Sequence, residues 1–448
     1  IALILVNKAE RIIAIPRFST LALWSAIAVF SSGAINAWTR LNFRDAWNSQ
    51  YGNLVIYKIT LGVILIFIGA IHRKYIIKKL EGTKQVYQLL LVEVFIMIAA
   101  ISVGAWLSSS APPVPENPRV VGVAETIAGS PMLPAPNLNN VLWTYVPDAA
   151  IMGLLIFITA LYIRGVVILA KRGDKWPIGR TIAFAFAVAA TDFATSGGLG
   201  AYARFSFSYH MVAHMILGMV APIGFVLSAP ITLALRTLPI GRTSDERGIR
   251  GNLIALLHSK YFQVVSNPIV ALAIFDGSLF ALYMTPLFGD LMQSHFGHLF
   301  MSLHFLLAGT LFFHVIVGID PSPKRVPYIV RIIILFAAMS IHAFFSIALM
   351  SASTLLDGGY FASLDRPWSI DLLADQKAGG AVGWAMGEIP ILIALVATFI
   401  QWTRDDKKET KRIDRAEDRA AAMGEDDELA KYNKYLAGLR RLDETKES

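Results

Sequence analysis

Residues 208–236 read SYHMVAHMILGMVAPIGFVLSAPITLALR. The run is long and apolar enough to cross a bilayer as a helix. Its first turns carry two imidazoles four residues apart, His210 and His214, among the thioethers Met211, Met215 and Met219. A lipid-spanning helix needs none of these soft donors for its own stability, so the stretch points both to a membrane fold and to a metal near one membrane surface.

The rest of the 448-residue chain agrees with a membrane fold. Hydrophobic residues make up 55% of it and charged residues 16%, with a mean hydropathy of +0.56. Apolar runs of span length recur throughout, as lipid demands of a backbone that must satisfy its own hydrogen bonds. The expectation is an all-α, polytopic transmembrane bundle with about ten complete spans in two modules. The net charge of +8 sits in short loops between spans. It therefore reflects the positive-inside rule and not nucleic-acid binding. With no cysteine, disulfides, thiolate zinc sites and iron–sulfur clusters are excluded, leaving His, Met, carboxylate or backbone as metal donors.

Sidedness follows from Lys and Arg. Ile1–Asn7 reads as the end of another span, with the true N-terminus missing, and Lys8, Arg11 and Arg17 mark the first cytoplasmic loop. Spans are expected at Phe18–Trp38, Asn53–His72 and Gln85–Leu107, and then at Asp148–Ala170, Gly179–Gly200, Tyr209–Arg236, Pro268–Pro286, His295–Gly318, Tyr328–Met350 and Ala381–Gln401. The basic loops at 73–84, 171–175, 242–260 and 324–325 all fall on one side. The predicted organisation is a first module over 1–113, an outer linker over 114–146, a second module over 147–402 and a charged cytoplasmic tail over 403–448.

The outer halves of several spans carry candidate ligands: His210, His214, His295, His298, His342, Met211, Met284 and Met350. An i,i+4 pair lies on one helix face. That spacing alone does not separate a ligand pair from interhelical hydrogen bonds; the shared depth of donors on different helices is what favours a site. Imidazole with thioether and no thiolate favours copper over zinc, because sulfur is the softer donor. Glu93, Asp192, Asp276 and Glu388 are intramembrane carboxylates, costly in lipid and expected to face the bundle as proton, ion-route or ligand-orienting groups, or as packing contacts. Asp148, after Pro147, reads as a helix N-cap, and Asp320-Pro321 as a helix end.

In the first module Tyr51, Gly52, Lys58, Glu93 and Pro112 sit where the CopD family has its YG, its Lys-bearing span, its intramembrane Glu and its closing Pro. Residues 18–113 resemble the C-terminal half of that family, which implies copper uptake. His72 departs from the Asn usual there. In the second module RGDKWPIGR, SYHMVAHM, YMTPLF, SHFGHLFMSLHFLLAGTLFFHVIVGIDP, IHAFFSIALM and DQKAGGAVGWAMGEIP resemble the CtaG family of cytochrome c oxidase assembly factors. Together the modules are similar to fused CopD–CtaG membrane proteins of actinobacteria. The resemblance implies a non-enzymatic copper-binding or copper-transport protein of the bacterial plasma membrane, partnered by the lipid bilayer and by cytochrome c oxidase or its supercomplex. Two alternatives stand beside it. One is a membrane cytochrome with two His holding a haem in a slot flanked by Gly197, Gly198 and Gly200; the other is a scaffold that only docks on the oxidase.

Overall fold

The computed structural model describes scattered positions between 21 and 41, then 44–71, 83–114, 121–241, 247–322, 326–422 and 428–447. Ile1–Asn7, Lys8, Arg11, Arg17, His72, Arg242, Lys324 and Arg325 lie outside the described residues, as do several positions of the span expected at Phe18–Trp38. The chain divides into two compact units, 1–122 with 147–157, and 123–146 with 158–448.

The first unit is built on α1 (Gln50–Ile71) and α2 (Thr83–Ser109). Tyr51 is buried here and accepts a hydrogen bond from Arg40 at 3.1 Å. Asp148 caps the helix that follows it, accepting from the Ala150 and Ile151 amides.

The second unit contains the short helices α3 (Val123–Ala128) and α4 (Leu138–Trp143). After α5 (Ala149–Lys171), which spans the division, come α6 (Ile178–Thr195), α7 (Gly198–Tyr202) and α8 (Phe207–Met215). A π-turn at Ile216–Val220 leads into α9 (Ala221–Leu227) and α10 (Pro230–Thr237). Then follow α11 (Gly248–Leu257), α12 (Lys260–Val265), α13 (Pro268–Phe275), α14 (Gly277–Tyr283), α15 (Leu287–Met292), α16 (His295–Val317), α17 (Tyr328–Ser351), α18 (Tyr360–Ser363), α19 (Leu372–Ala422) and α20 (Glu428–Glu447).

Among the described residues, seven helices are long and apolar enough to cross a membrane, one in the first unit and the others from α5 onward. The architecture is thus an all-helical, largely apolar bundle of a multi-pass membrane protein. The span expected at Pro268–Pro286 is shorter than that and is broken into α13 and α14 at Asp276. In α2 the apolar stretch is Val94–Ser109. The span expected at Ala381–Gln401 is longer at both ends, because α19 begins at Leu372 and runs unbroken through Pro390 and past residue 402.

The opening stretch is one span but not one regular helix. Pro222 and Pro230 lack amide hydrogens and start new helical segments. Between them Ala229 takes the left-handed conformation, φ 51°, at a cost of about 1–2 kcal/mol. Asp320 offsets this by capping α10 from another segment, accepting from the amides of Ile231 at 3.0 Å and Thr232 at 2.7 Å. The π-turn brings the Gly218 carbonyl against α16. A Cβ at Gly309 would lie 1.9 Å from that oxygen, so only glycine lets the two backbones meet.

Candidate metal centre

The centre is positioned by the first turn of α8. Asp375, from α19, accepts from the Phe207 amide at 2.7 Å, the Ser206 hydroxyl at 3.0 Å and the Ser208 amide at 3.3 Å. A carboxylate here satisfies amides that the helix leaves unpaired and complements its positive end. The turn so fixed presents His210 and His214, their ring centroids 3.9 Å apart. On the facing helix, Ser294 caps α16 by accepting from Gly297 at 2.9 Å and places His298 one turn in.

Ligand-capable nitrogens of His210, His214 and His298 all lie within 4.8 Å of one another. The three rings are 0%, 1% and 9% exposed. Both nitrogens of His210, and Nε2 of His214 and of His298, have no hydrogen-bond partner; the Ala203 carbonyl is the backbone group acting on His210, outside hydrogen-bonding geometry. An unmet buried polar group costs about 1–3 kcal/mol, and a metal ion would satisfy several at once. Three imidazoles on one ion at about 2.0–2.1 Å bring their nitrogens closer than 4.8 Å, a modest side-chain adjustment. His214 Nδ1 lies 3.0 Å from the Tyr283 hydroxyl, which orients the ring and leaves Nε2 for a ligand. Phe288, 5.0 Å from the His210 centroid, and Phe305, 4.6 Å from that of His214, keep the pocket dry.

Residues of the long segments around 123–137 and 352–371 pack above this pocket. The Tyr202 hydroxyl donates to Pro134 O at 2.8 Å, and Trp368 to Leu133 O at 3.1 Å. Tyr360 donates to Arg204 O at 3.1 Å. Burial pushes the Tyr360 hydroxyl up to about 12, so it remains a donor.

The other expected ligands lie elsewhere. His295 is exposed at the rim, its Nδ1 3.4 Å from an Arg204 guanidinium nitrogen. Met284 is 37% exposed and outside the cluster. Met350 borders a separate apolar cavity of about 490 Å³ with Met339, Trp384 and Glu388. Met211 is fully buried, but its sulfur borders Gly383 on α19. His342 lies beside Asp276, 3.4 Å from Nδ1 to Oδ1, with Nε2 3.1 Å from Gly383 O.

Of the carboxylates, Asp192 accepts from Tyr145 at 3.1 Å, and Glu388 accepts from Trp384 at 2.5 Å. The Glu93 side chain is outside the described residues. The glycine run has no open slot: a Cβ at Gly198 would meet Val141 O at 2.5 Å, and one at Gly200 the Thr195 carbonyl carbon at 2.5 Å. Tyr283 and Asp375 were not singled out from sequence, although YMTPLF and DQKAGGAVGWAMGEIP contain them.

Fold and site together define a multi-pass helical membrane protein with a buried three-imidazole centre able to hold a metal ion. The chain belongs to the CtaG family: the family model for the cytochrome c oxidase caa3 assembly factor matches residues 160–405, more than half its length. The model for copper resistance protein D (CopD) matches residues 12–107. The first description names an assembly factor and the second a resistance protein; neither names an enzyme. It is similar to the uncharacterized proteins Mb0105 of Mycobacterium bovis and MT0111 of Mycobacterium tuberculosis. Each is 41% identical over 307 residues, covering 68% of this chain and 46% of the relative. ML1998 of Mycobacterium leprae is 39% identical over the same length. The chain thus spans less than half the length of the curated relatives it matches. No solved structure matches it.

Proposed function

We propose that this protein is a copper-binding protein of the bacterial plasma membrane that moves or presents copper for cytochrome c oxidase assembly, copper being its cargo. The observation that carries the reading is the set of three buried imidazoles whose nitrogens face one another without partners. Neutral imidazole suits copper, and the match to a caa3-oxidase assembly family supports the oxidase as destination. On this reading about ten spans form two modules, 1–113 and 147–402, joined by the outer linker 114–146. The His cluster lies at the outer face and the tail from 403 is cytoplasmic. The chain is a fused CopD–CtaG protein of the actinobacterial kind, and the oxidase or its supercomplex is the partner.

Haem is disfavoured. Its iron takes two axial ligands opposed across a ring, whereas here three imidazoles converge and backbone fills the glycine slot. The test is metal analysis of the purified full chain beside His210→Ala/His214→Ala/His298→Ala. Loss from the triple variant of the copper held by the three imidazoles is the expected result. A Soret band, or copper content unchanged in the variant, overturns the reading.

A further inference from the structure

A second buried polar group stands apart from the three-histidine centre, where α13 and α14 are interrupted. Asp276 sits at that break and is 1% exposed; His342 on α17 is 0% exposed. The pair is closely built. A Cβ at Gly387 would lie 2.0 Å from His342 Nε2, so the ring rests on bare backbone of α19. His342 Nε2 faces the Gly383 carbonyl at 3.1 Å, and a carbonyl only accepts, so Nε2 carries a hydrogen.

That assignment fixes the proton count. With Nε2–H engaged, one further proton lies between Nδ1 and Asp276 Oδ1, on either atom, and the pair is neutral. Removing it leaves one negative charge on a fully buried pair, which another cation can balance. His342 is the ionisable group that acts on Asp276. Of the other ionisable groups on the packed helices, Glu388 accepts from Trp384 and His214 Nδ1 lies 3.0 Å from the Tyr283 hydroxyl, while Nε2 of His304 is buried without a partner.

Unused donors surround the pair. Asp276 Oδ2 and the Ser346 hydroxyl are buried without partners. Ser346 lies one turn from His342 on α17, and its Oγ borders Gly383 at the same point as Met211 Sδ, each 3.6 Å from where a Cβ would stand. Asp276 thus lies at Nδ1 of His342, and the Ser346 hydroxyl and Met211 thioether border Gly383, whose carbonyl faces Nε2. A plain helix–helix contact needs no orphaned carboxylate oxygen.

We propose that Asp276 and His342 form a second intramembrane site that holds either one proton or one monovalent soft cation, the two exchanging. The cation enters as the proton between Oδ1 and Nδ1 leaves; the carboxylate and the freed Nδ1 lone pair become its ligands. Total charge is unchanged, and so is the oxidation state of the metal. The identity of the cation as Cu(I) rests on the copper reading above; the exchange site itself does not.

The test is an anaerobic Cu(I) titration of the full chain in lipid nanodiscs. It is run weakly buffered at about pH 8, where free imidazole is neutral, with a pH dye reporting released protons. The wild-type protein is expected to take up about two Cu(I) per chain and release about one proton. Asp276→Asn and His342→Gln each lose one copper equivalent and the proton, while the three-histidine variant keeps one copper and the proton. Retained cluster copper certifies folding of the Asp276→Asn chain, and His342→Gln serves should it fail to fold. Copper and proton counts unchanged in both variants would make the pair a structural contact only and overturn the proposal. Copper unchanged in the three-histidine variant, with the proton still lost in Asp276→Asn, would instead overturn the copper centre and leave the exchange site standing.

Discussion

The two buried histidine groups of the second unit use the same side chain in opposite ways. At His210, His214 and His298 the facing nitrogens are unpaired, no carboxylate joins them, and a tyrosine holds one ring from behind. At His342 both nitrogens are engaged, one by a carbonyl and one by Asp276. A free donor set is ready for a metal ion; a committed one must first give up a proton. Burial alone does not mark a metal site, since all four rings are buried; the state of their nitrogens separates them.

Breaking the comparison at its open end has the largest effect. Replacing His210, His214 and His298 together by alanine removes copper from the centre altogether, read as metal per chain, while the chain still elutes as a folded species. A smaller effect comes from Tyr283→Phe, which keeps the ring packing but leaves His214 Nδ1 without its hydroxyl partner. Copper affinity at the centre should fall about 10–100-fold, read by competition with a Cu(I) chelator.

At the committed end, Gly387→Ala sets a methyl into the His342 ring. It should lower stability by about 1–3 kcal/mol, seen as earlier thermal unfolding, with copper at the three-histidine centre retained. The smallest change is Asp375→Asn, which weakens the cap that fixes the first turn of α8. About 1 kcal/mol of stability should be lost, with a modest drop in copper affinity, whereas Asp371→Asn on the exposed start of α19 leaves affinity unchanged.

Much of the fold is legible in the sequence because lipid imposes one rule on every span: apolar length with internal hydrogen bonding. The stretch 208–236 shows its membrane character at once, and the i,i+4 spacing of His210 and His214 places both on one face. The limits are as physical. Sequence gives depth along a helix but not rotation about it relative to neighbours. His342, Met284 and Met350 therefore share an expected depth with the cluster, yet they face Asp276, solvent-accessible surface and a separate cavity respectively. His295 and His298 are one turn apart, and only packing against α8 distinguishes them. Asp276 reads as a residue inside a span, whereas it stands at a break in one. Asp375 falls outside the spans expected from sequence, and its role as cap to α8 depends on a contact 168 residues away in the chain.

The most direct test of the central claim is X-ray absorption at the copper edge on the Asp276→Asn chain, in which only the three-histidine centre remains to be loaded. The account predicts a first shell of imidazole nitrogens at about 2.0 Å with outer-ring scattering and no sulfur. A sulfur shell, or the same spectrum after His214→Ala and His298→Ala, would contradict it.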